Sequence, residues 1–251
     1  MRMTVVASIM VLTISAAPVL AKHGSEKSFS PPTEVSDLDL QKIPDLLPTM
    51  YYTPLESEVN CKGGYGRVRY RGNEKETLLT PEGKVLATVC KRFSATLLME
   101  GAGILRDRGN GEIAVNFGGR IKGKARYYPL GRCKYGAGIR RDLCLLPYHT
   151  IAGDNRIHQI DDIIYVPEAK GLELPDGSIH DGYFVVRDTG GAFTGIGSQR
   201  VDMFTGTDPD FNNVFQKAGF HHKRPMEAYK INGASADEVR QKLRDKFGDL
   251  Y

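Results

Sequence analysis

The chain has 251 residues, with 34 Lys+Arg against 30 Asp+Glu, six His and a formal net charge of +4. That mild excess suits work beside an anionic polymer, yet no Lys/Arg block is dense enough to point to nucleic acid. The length fits one large domain, or a domain carrying a sizeable insertion.

The N-terminus reads as a secretory signal peptide over residues 1–21. Arg2 supplies the positive region, Val5 to Ile14 the apolar run, and Ala16-Ala17-Pro18-Val19-Leu20-Ala21 the small residues before a cut near Ala21. The apolar run is too short to span a bilayer comfortably, so the mature chain is expected to have no transmembrane segment. No Cys lies near the cut, which argues against a lipid anchor. The mature chain is therefore expected to be exported, either periplasmic or secreted.

Cys61, Cys90, Cys133 and Cys144 in an exported chain read as two disulfides. Three pairings are open. The short loop between Cys133 and Cys144 favours that pair, which leaves Cys61 with Cys90. There is no C-x-x-C spacing, and His23, His149, His158, His180, His221 and His222 do not fall at ligand intervals, so no metal site is expected.

Residues 22–45, with Pro31-Pro32, read as a flexible lead-in. A β-rich region follows over 46–231, with a cysteine-bearing insertion at about 61–146. Expected strands are Met50–Thr53, Gly66–Tyr70, Val85–Val89, Ala95–Met99, Glu112–Phe117, Ile163–Val166 and Tyr183–Val186. Gly, Pro, Asn and Asp punctuate them, as in a barrel or sandwich. Arg67, Arg69 and Arg71 alternate as on the exposed face of an edge strand.

Two helices close the chain. The first starts with Asp208 as N-cap and Pro209 at its first position, carries Phe211, Val214, Phe215 and Ala218, and stops at Gly219. The second, within 232–251, starts with Ser235 and Glu238 as a capping box and carries Val239, Leu243 and Phe247. Both stripes are expected to dock on the β-rich body.

The most informative stretch is Asp188-Thr-Gly-Gly-Ala-Phe193, continuing to Arg200-Val-Asp202-Met-Phe-Thr-Gly206. Two carboxylates bracket a glycine-rich turn, where bare backbone lets a ligand approach an acid. The bland alternative is that Asp188 caps a turn and Asp202 is solvated. Taken with Thr49-Met-Tyr-Tyr-Thr-Pro54, Glu100-Gly-Ala-Gly103 and Thr150-Ile-Ala-Gly-Asp154, the stretch resembles the membrane-bound lytic transglycosylase A family and its three-aspartate domain. The family pattern reads T-G-Y-Y-x-P, Q-G-S-G, S-x-A-x-D and D-T-G-G-A-I-x-G followed by R-x-D-x-F-x-G.

The resemblance covers about Thr49 to Gly206. It implies a double-psi β-barrel and cleavage of the β-1,4 bond between N-acetylmuramic acid and N-acetylglucosamine in peptidoglycan, leaving a 1,6-anhydro end and needing no cofactor. Asp202 matches the family's catalytic acid, and Asp188 and Asp154 its other two aspartates. Thr49 is expected to fix the acid, Tyr51 or Tyr52 to offer a sugar a flat face, Gly190 and Gly191 to admit the substrate, and Arg200 to pair with a carboxylate, with the anionic lactyl-peptide, or structurally with Asp188. His149 reads as a satisfied barrel histidine rather than a base.

The chemistry supports one acid. A carboxyl must be protonated to donate to the leaving glycosidic oxygen, then ionised to take the proton of the substrate's own C6 hydroxyl. An Asp with a normal pKa near 3.9 must therefore be raised by burial or by a neighbouring charge. Ordinary glycosidases need a second carboxylate, roughly 5–9.5 Å away. Several residues depart from the pattern: Glu100 and Ala102 stand for Gln and Ser, Gly153 for an apolar residue, and the turn is longer by Ile196-Gly-Ser198. The segment between Thr49–Pro54 and the later motifs, about Cys61 to Leu146, is also shorter than the family's second domain. A non-catalytic cell-wall-binding barrel and an inverting polysaccharide hydrolase with two aspartates are the competing readings.

Overall fold

Strand β1 (Leu40–Tyr51) begins ten residues before the expected Met50 and contains two prolines, Pro44 and Pro48. Neither proline has an N–H to give to a ladder. The strand survives because its halves pair on opposite sides. Its first half runs antiparallel to the last strand of the chain, its second half parallel to the strand that carries Asp202, and the register slips between Ile43 and Leu46 around Pro44. The computed structural model describes residues 39–251 except 66, 67, 73, 191, 192, 194, 196, 198 and 210. The expected signal peptide, residues 22–38 of the expected flexible lead-in and Gly191 lie outside the described residues, while the rest of that lead-in, from Leu40, is part of strand β1 and not flexible.

Three small sheets fill the chain between β1 and the next barrel strand. The hairpin of β2 (Gly64–Tyr65) and β3 (Val68–Arg69) takes the place of the single edge strand expected at Gly66–Tyr70. A second hairpin joins β4 (Lys75–Leu79) to β5 (Val85–Cys90). Helix α1 (Lys91–Glu100) then occupies the expected strand Ala95–Met99. A five-residue apolar run carries no period that separates helix from strand. Burial decides it, because Phe93, Ser94, Thr96 and Leu97 face inward at helical spacing and Phe93 and Leu97 pack on Leu78, Val89, Leu105 and Val115. Gly101, at φ +80°, ends the helix and donates its N–H to the Leu97 carbonyl. The expected glycine-spaced strand therefore begins only at Ala102. Strands β6 (Ala102–Leu105), β7 (Ile113–Ile121) and β8 (Lys124–Pro129) form an antiparallel meander.

The disulfides join Cys61 to Cys90 and Cys133 to Cys144, the pairing favoured by the loop lengths. The first ties the chain after β1 to the start of α1.

The remaining strands are β9 (Thr150–Ala152), β10 (Ile163–Tyr165), β11 (Tyr183–Asp188), β12 (Arg200–Phe204) and β13 (Met226–Ile231). With β1 they close a barrel in the order β1-β12-β9-β11-β10-β13. The mainly-β expectation is borne out, and the mixture of parallel and antiparallel pairs is consistent with double-psi connectivity. Leu46, Ile151, Phe184, Val186, Val201, Met203, Met226 and Ala228 fill the interior. Each of these side chains larger than Ala contributes about 1.5–3 kcal/mol through loss of water contact.

Both terminal helices dock on the barrel but start elsewhere than expected. Helix α2 (Val214–Lys217) is capped by Asn213, whose side chain accepts the Gln216 N–H, while Phe211 stays exposed. Asp208 accepts the Tyr148 hydroxyl instead of capping a helix. A distant partner that only the fold supplies overrides its local capping signal. Helix α3 (Gly233–Phe247) likewise has no capping box. Asp39 accepts both the hydroxyl and the N–H of Ser235 from 196 residues away. Val239 and Leu243 lie against Ile163, Tyr165, Tyr183 and Val185 on the outer face of β10 and β11.

Candidate active site

Ala152 is the reference point of the site. It pairs in register with Asp202 on one neighbouring strand and with Asp188 on the other. Asp202 in turn pairs with Thr49. The row Thr49–Asp202–Ala152–Asp188 therefore crosses four adjacent strands at one level. Strand spacing sets the two acidic backbones about 10 Å apart.

Alternation decides which face the row occupies. Val201, Met203 and Ile151 point into the barrel core, so Asp202 and Ala152 point outward. A separate outer cluster of Tyr51, Leu145, Ala152, Phe193 and Phe204 surrounds them. Asp188 reaches the same level through a bulge. The β9–β11 register slips between Val186 and Asp188, which leaves Arg187 unopposed and re-aims the acid. The Arg187 guanidinium is buried beneath, donating to the carbonyls of Cys144, Leu250 and Tyr251 and stacking 3.9 Å from the Tyr251 ring.

Burial governs both acids. It pushes Asp202 up to about 6, against the pull of the Arg200 guanidinium 3.6 Å from its Oδ1. It also pushes Asp188 up to about 6, where the Thr189 N–H and nearby Tyr51 pull down and the Asp202 charge pushes further up. Tyr51 is raised well above its usual range, first by burial and then by Asp188, although its hydroxyl makes no well-formed hydrogen bond. Asp202 Oδ1 is likewise buried with no hydrogen-bond partner.

Asp154 behaves differently. Arg156 grips both its carboxylate oxygens through Nε and Nη2 and adds its own N–H, holding Asp154 well below the carboxylate range. The Gly195 N–H also bears on it. Asp154 is thus a fixed anion that ties the glycine-rich turn to the end of β9.

The expected helpers distribute unevenly. Thr49 lies beside Asp202, but its hydroxyl donates to the Val201 carbonyl rather than to the acid. Tyr51 is buried against Phe204 with ring centroids 5.1 Å apart and presents no open face to a sugar. Tyr52 is half-buried, and its N–H donates to Glu100. Arg200 pairs with Asp202 and not with Asp188. Gly190 lies over Phe193, where a Cβ would come 3.3 Å from the ring.

Sequence reasoning missed a segment that packs beside Asp188. Gly138 lies so close to β11 that a Cβ would overlap the Arg187 carbonyl, and the Ile139 N–H donates to that same oxygen. From this segment the Arg141 guanidinium covers the Tyr128 ring at 3.9 Å, and Asp188 is near enough to raise Tyr128 further after burial. Tyr128 and Arg141 are therefore neighbours of the acids. Their only sequence trace is that no Asp or Glu lies between Ile113 and Arg141.

His149 and His180 do meet in space, with rings stacked at 4.5 Å and Asp181 alongside, a grouping hidden by their separation along the chain. Their nitrogens are engaged. Gly182 N–H donates to His180 Nδ1, His180 Nε2 donates to the Tyr148 carbonyl, His149 Nδ1 faces the Pro147 carbonyl, and the Lys246 ammonium lies 3.4 Å from His149 Nε2. Burial holds both rings below the usual histidine range.

Residues 149–231 match the 3D domain family. That span holds β9 to β13 and all three aspartates, so the resemblance read from the motifs is borne out over this third of the chain. The chain is also similar to solved structures. One is E. coli MltA with bound chitohexaose, at 14% identity and TM-score 0.44, covering 75% of this chain and 71% of that one. Another is the membrane-bound lytic murein transglycosylase of Agrobacterium tumefaciens, at 13% identity and TM-score 0.45, covering 76% and 75%. A third is MltA of Neisseria gonorrhoeae, at 13% identity and TM-score 0.39, covering 65% and 51%. No curated protein matches the sequence.

Proposed function

We propose that this protein is an exported peptidoglycan lytic transglycosylase in which Asp202 serves first as acid and then as base. The observation that carries the reading is the outward-facing Asp202, raised to about 6 by burial, with its Oδ1 making no hydrogen bond and only an ion pair to Arg200, and a second raised acid in the same row. An acid at that value exists in both forms near neutrality, as a group that must donate and then accept requires. The 3D domain match over the same residues supports the substrate class.

In this reading Asp202 protonates the glycosidic oxygen between N-acetylmuramic acid and N-acetylglucosamine. Asp188, when ionised, stabilises positive charge developing at the anomeric carbon. The C6 hydroxyl then attacks that carbon and gives its proton to Asp202, which closes the 1,6-anhydro ring and consumes no water. Asp154 acts by holding the glycine-rich turn and takes no proton. Arg200 orients Asp202 and limits how far its pKa rises. No step requires a cofactor.

The separation of the acids also supports a second reading. Backbones about 10 Å apart can place carboxyl groups at the 6.5–9.5 Å separation of inverting hydrolases, with Asp188 as base toward a water. Substitution separates the two. In a lytic enzyme Asp188→Asn slows turnover yet still yields anhydro ends, whereas an inverting hydrolase lacking its base loses turnover altogether. Asp202→Asn is expected to abolish glycan cleavage in a turbidity assay on purified peptidoglycan; retained turnover in that variant contradicts the assignment of the acid.

A further inference from the structure

Charge is distributed unevenly along the chain. Residues 61–146 hold 18 Lys+Arg and 7 Asp+Glu, a formal +11, which leaves the rest of the chain at −7 beneath its total of +4. The excess is sharper still from Ile113 to Arg141, where there are eight cations and no Asp or Glu. Among the described residues only Arg140 of the eight forms an ion pair, with Asp142. Arg120, Lys122 and Lys124 crowd the exposed tip of the β7–β8 hairpin.

This cationic run touches the acid site. Its inner end is Tyr128 under Arg141, close enough to Asp188 to feel its charge, with Ile139 bonded to the Arg187 carbonyl. Strand β8 then leads from Tyr128 to Lys124, about 13 Å at roughly 3.3 Å per residue. Like charges concentrated in one segment cost stability, so a neutral glycan alone gives no reason to keep them. A glycan that carries carboxylates at regular intervals does.

We infer that the acid-free stretch from Ile113 to Arg141 is the docking face for the carboxylate-bearing peptides of the glycan, with Arg120, Lys122 and Lys124 as their outer anchor. The inference rests on the lytic transglycosylase reading and adds a specificity element to it. The sign asymmetry also orients the strand: its anionic peptides are drawn to the basic segment and repelled by the acidic remainder, which leaves the sugar backbone facing Asp202. A nucleic-acid strand fits less well, because Tyr127 is buried and Tyr128 is covered by Arg141, so neither offers an open ring for a base.

Binding tests this apart from catalysis. The full chain carrying Asp202→Asn, with and without Arg120→Ser, Lys122→Ser and Lys124→Ser together, is pelleted with insoluble peptidoglycan freed of phosphodiester polymers by acid. A parallel arm uses the same material stripped of its peptides by an amidase. The chain with its cations is expected to prefer peptide-bearing glycan by about tenfold at low salt, the size that a few exposed ionic contacts supply. The triple substitution should bring both arms to the level of stripped glycan, and raising salt to about 0.5 M should do the same by screening. A preference that survives the triple substitution, or an equal affinity for both glycans, overturns the inference and leaves the substrate reading intact. Failure to bind either glycan contradicts the substrate reading as well, and tighter binding to single-stranded DNA than to peptidoglycan overturns the inference in favour of nucleic acid.

Discussion

At Asp202 two effects act in opposite directions, and burial outweighs the Arg200 guanidinium. The folded-state value of about 6 lies above the unfolded value near 3.9. The stabilising contribution of such a group is complete below about 3.9 and is lost as pH rises through about 6. At pH 7 the ionised Asp202 therefore destabilises the fold. Asp202→Asn is expected to remove this penalty, raising stability by about 1–2 kcal/mol at pH 7, a gain of a few degrees in the thermal midpoint. The gain should vanish below pH 4; calorimetry of both proteins at the two pH values checks it. Asp154 carries the opposite expectation for function. Asp154→Asn should lower kcat/KM by 10- to 100-fold through a displaced turn, while the pH at which activity falls stays where Asp202 sets it. The three aspartates were legible in the sequence because their spacing is particular. Their division of labour was not, since Arg156 and Arg200 act through side-chain reach that spacing does not reveal.

Two elements carry the geometry from the sheet to the site. The bulge at Arg187 turns Asp188 outward, and Arg187 fastens the C-terminal turn beneath it. Arg187→Ala removes a buried cation from three carbonyls and one ring, and is expected to cost about 2–4 kcal/mol in denaturant unfolding. The segment around Gly138 is the second such element. Gly138→Ala drives a methyl into the Arg187 carbonyl, so it should destabilise by about 1–3 kcal/mol and reduce turnover, whereas Gly131→Ala, in open space, should do neither. Helix α1 shows why such elements escape a linear reading. Ala95–Met99 is a short apolar run whose conformation is set by packing on Leu78 and Val115, neither of them near it in sequence. Strand β1 escaped for the reverse reason: Pro44 and Pro48 argue against a strand, yet each half of β1 has its own partner.

On the scale of the whole molecule, the barrel was legible from the motif order and the short apolar strands, and the disulfides from loop length. The charge division between residues 61–146 and the remainder was equally present in the sequence but invisible in a total of +4. The stacked His149–His180 pair was not legible, because 31 residues separate partners that the fold brings together. Burial lowers both rings, so the unfolded chain binds protons that the folded chain refuses. Stability should therefore fall as pH drops from about 6.5 toward 4, on the order of 2–3 kcal/mol. Replacing His149 and His180 together by Phe should flatten that slope in acid-titrated thermal melts.

One measurement bears on the central claim most directly: mass spectrometry of the fragments released when the purified protein digests peptidoglycan. If Asp202 acts alone and the C6 hydroxyl takes the place of water, every muramic end should be a 1,6-anhydro sugar, lighter by one water than a reducing end and carrying no label when the digest is run in heavy-oxygen water. Reducing ends that incorporate the heavy oxygen would contradict the single-acid mechanism and make Asp188 the base of a hydrolase.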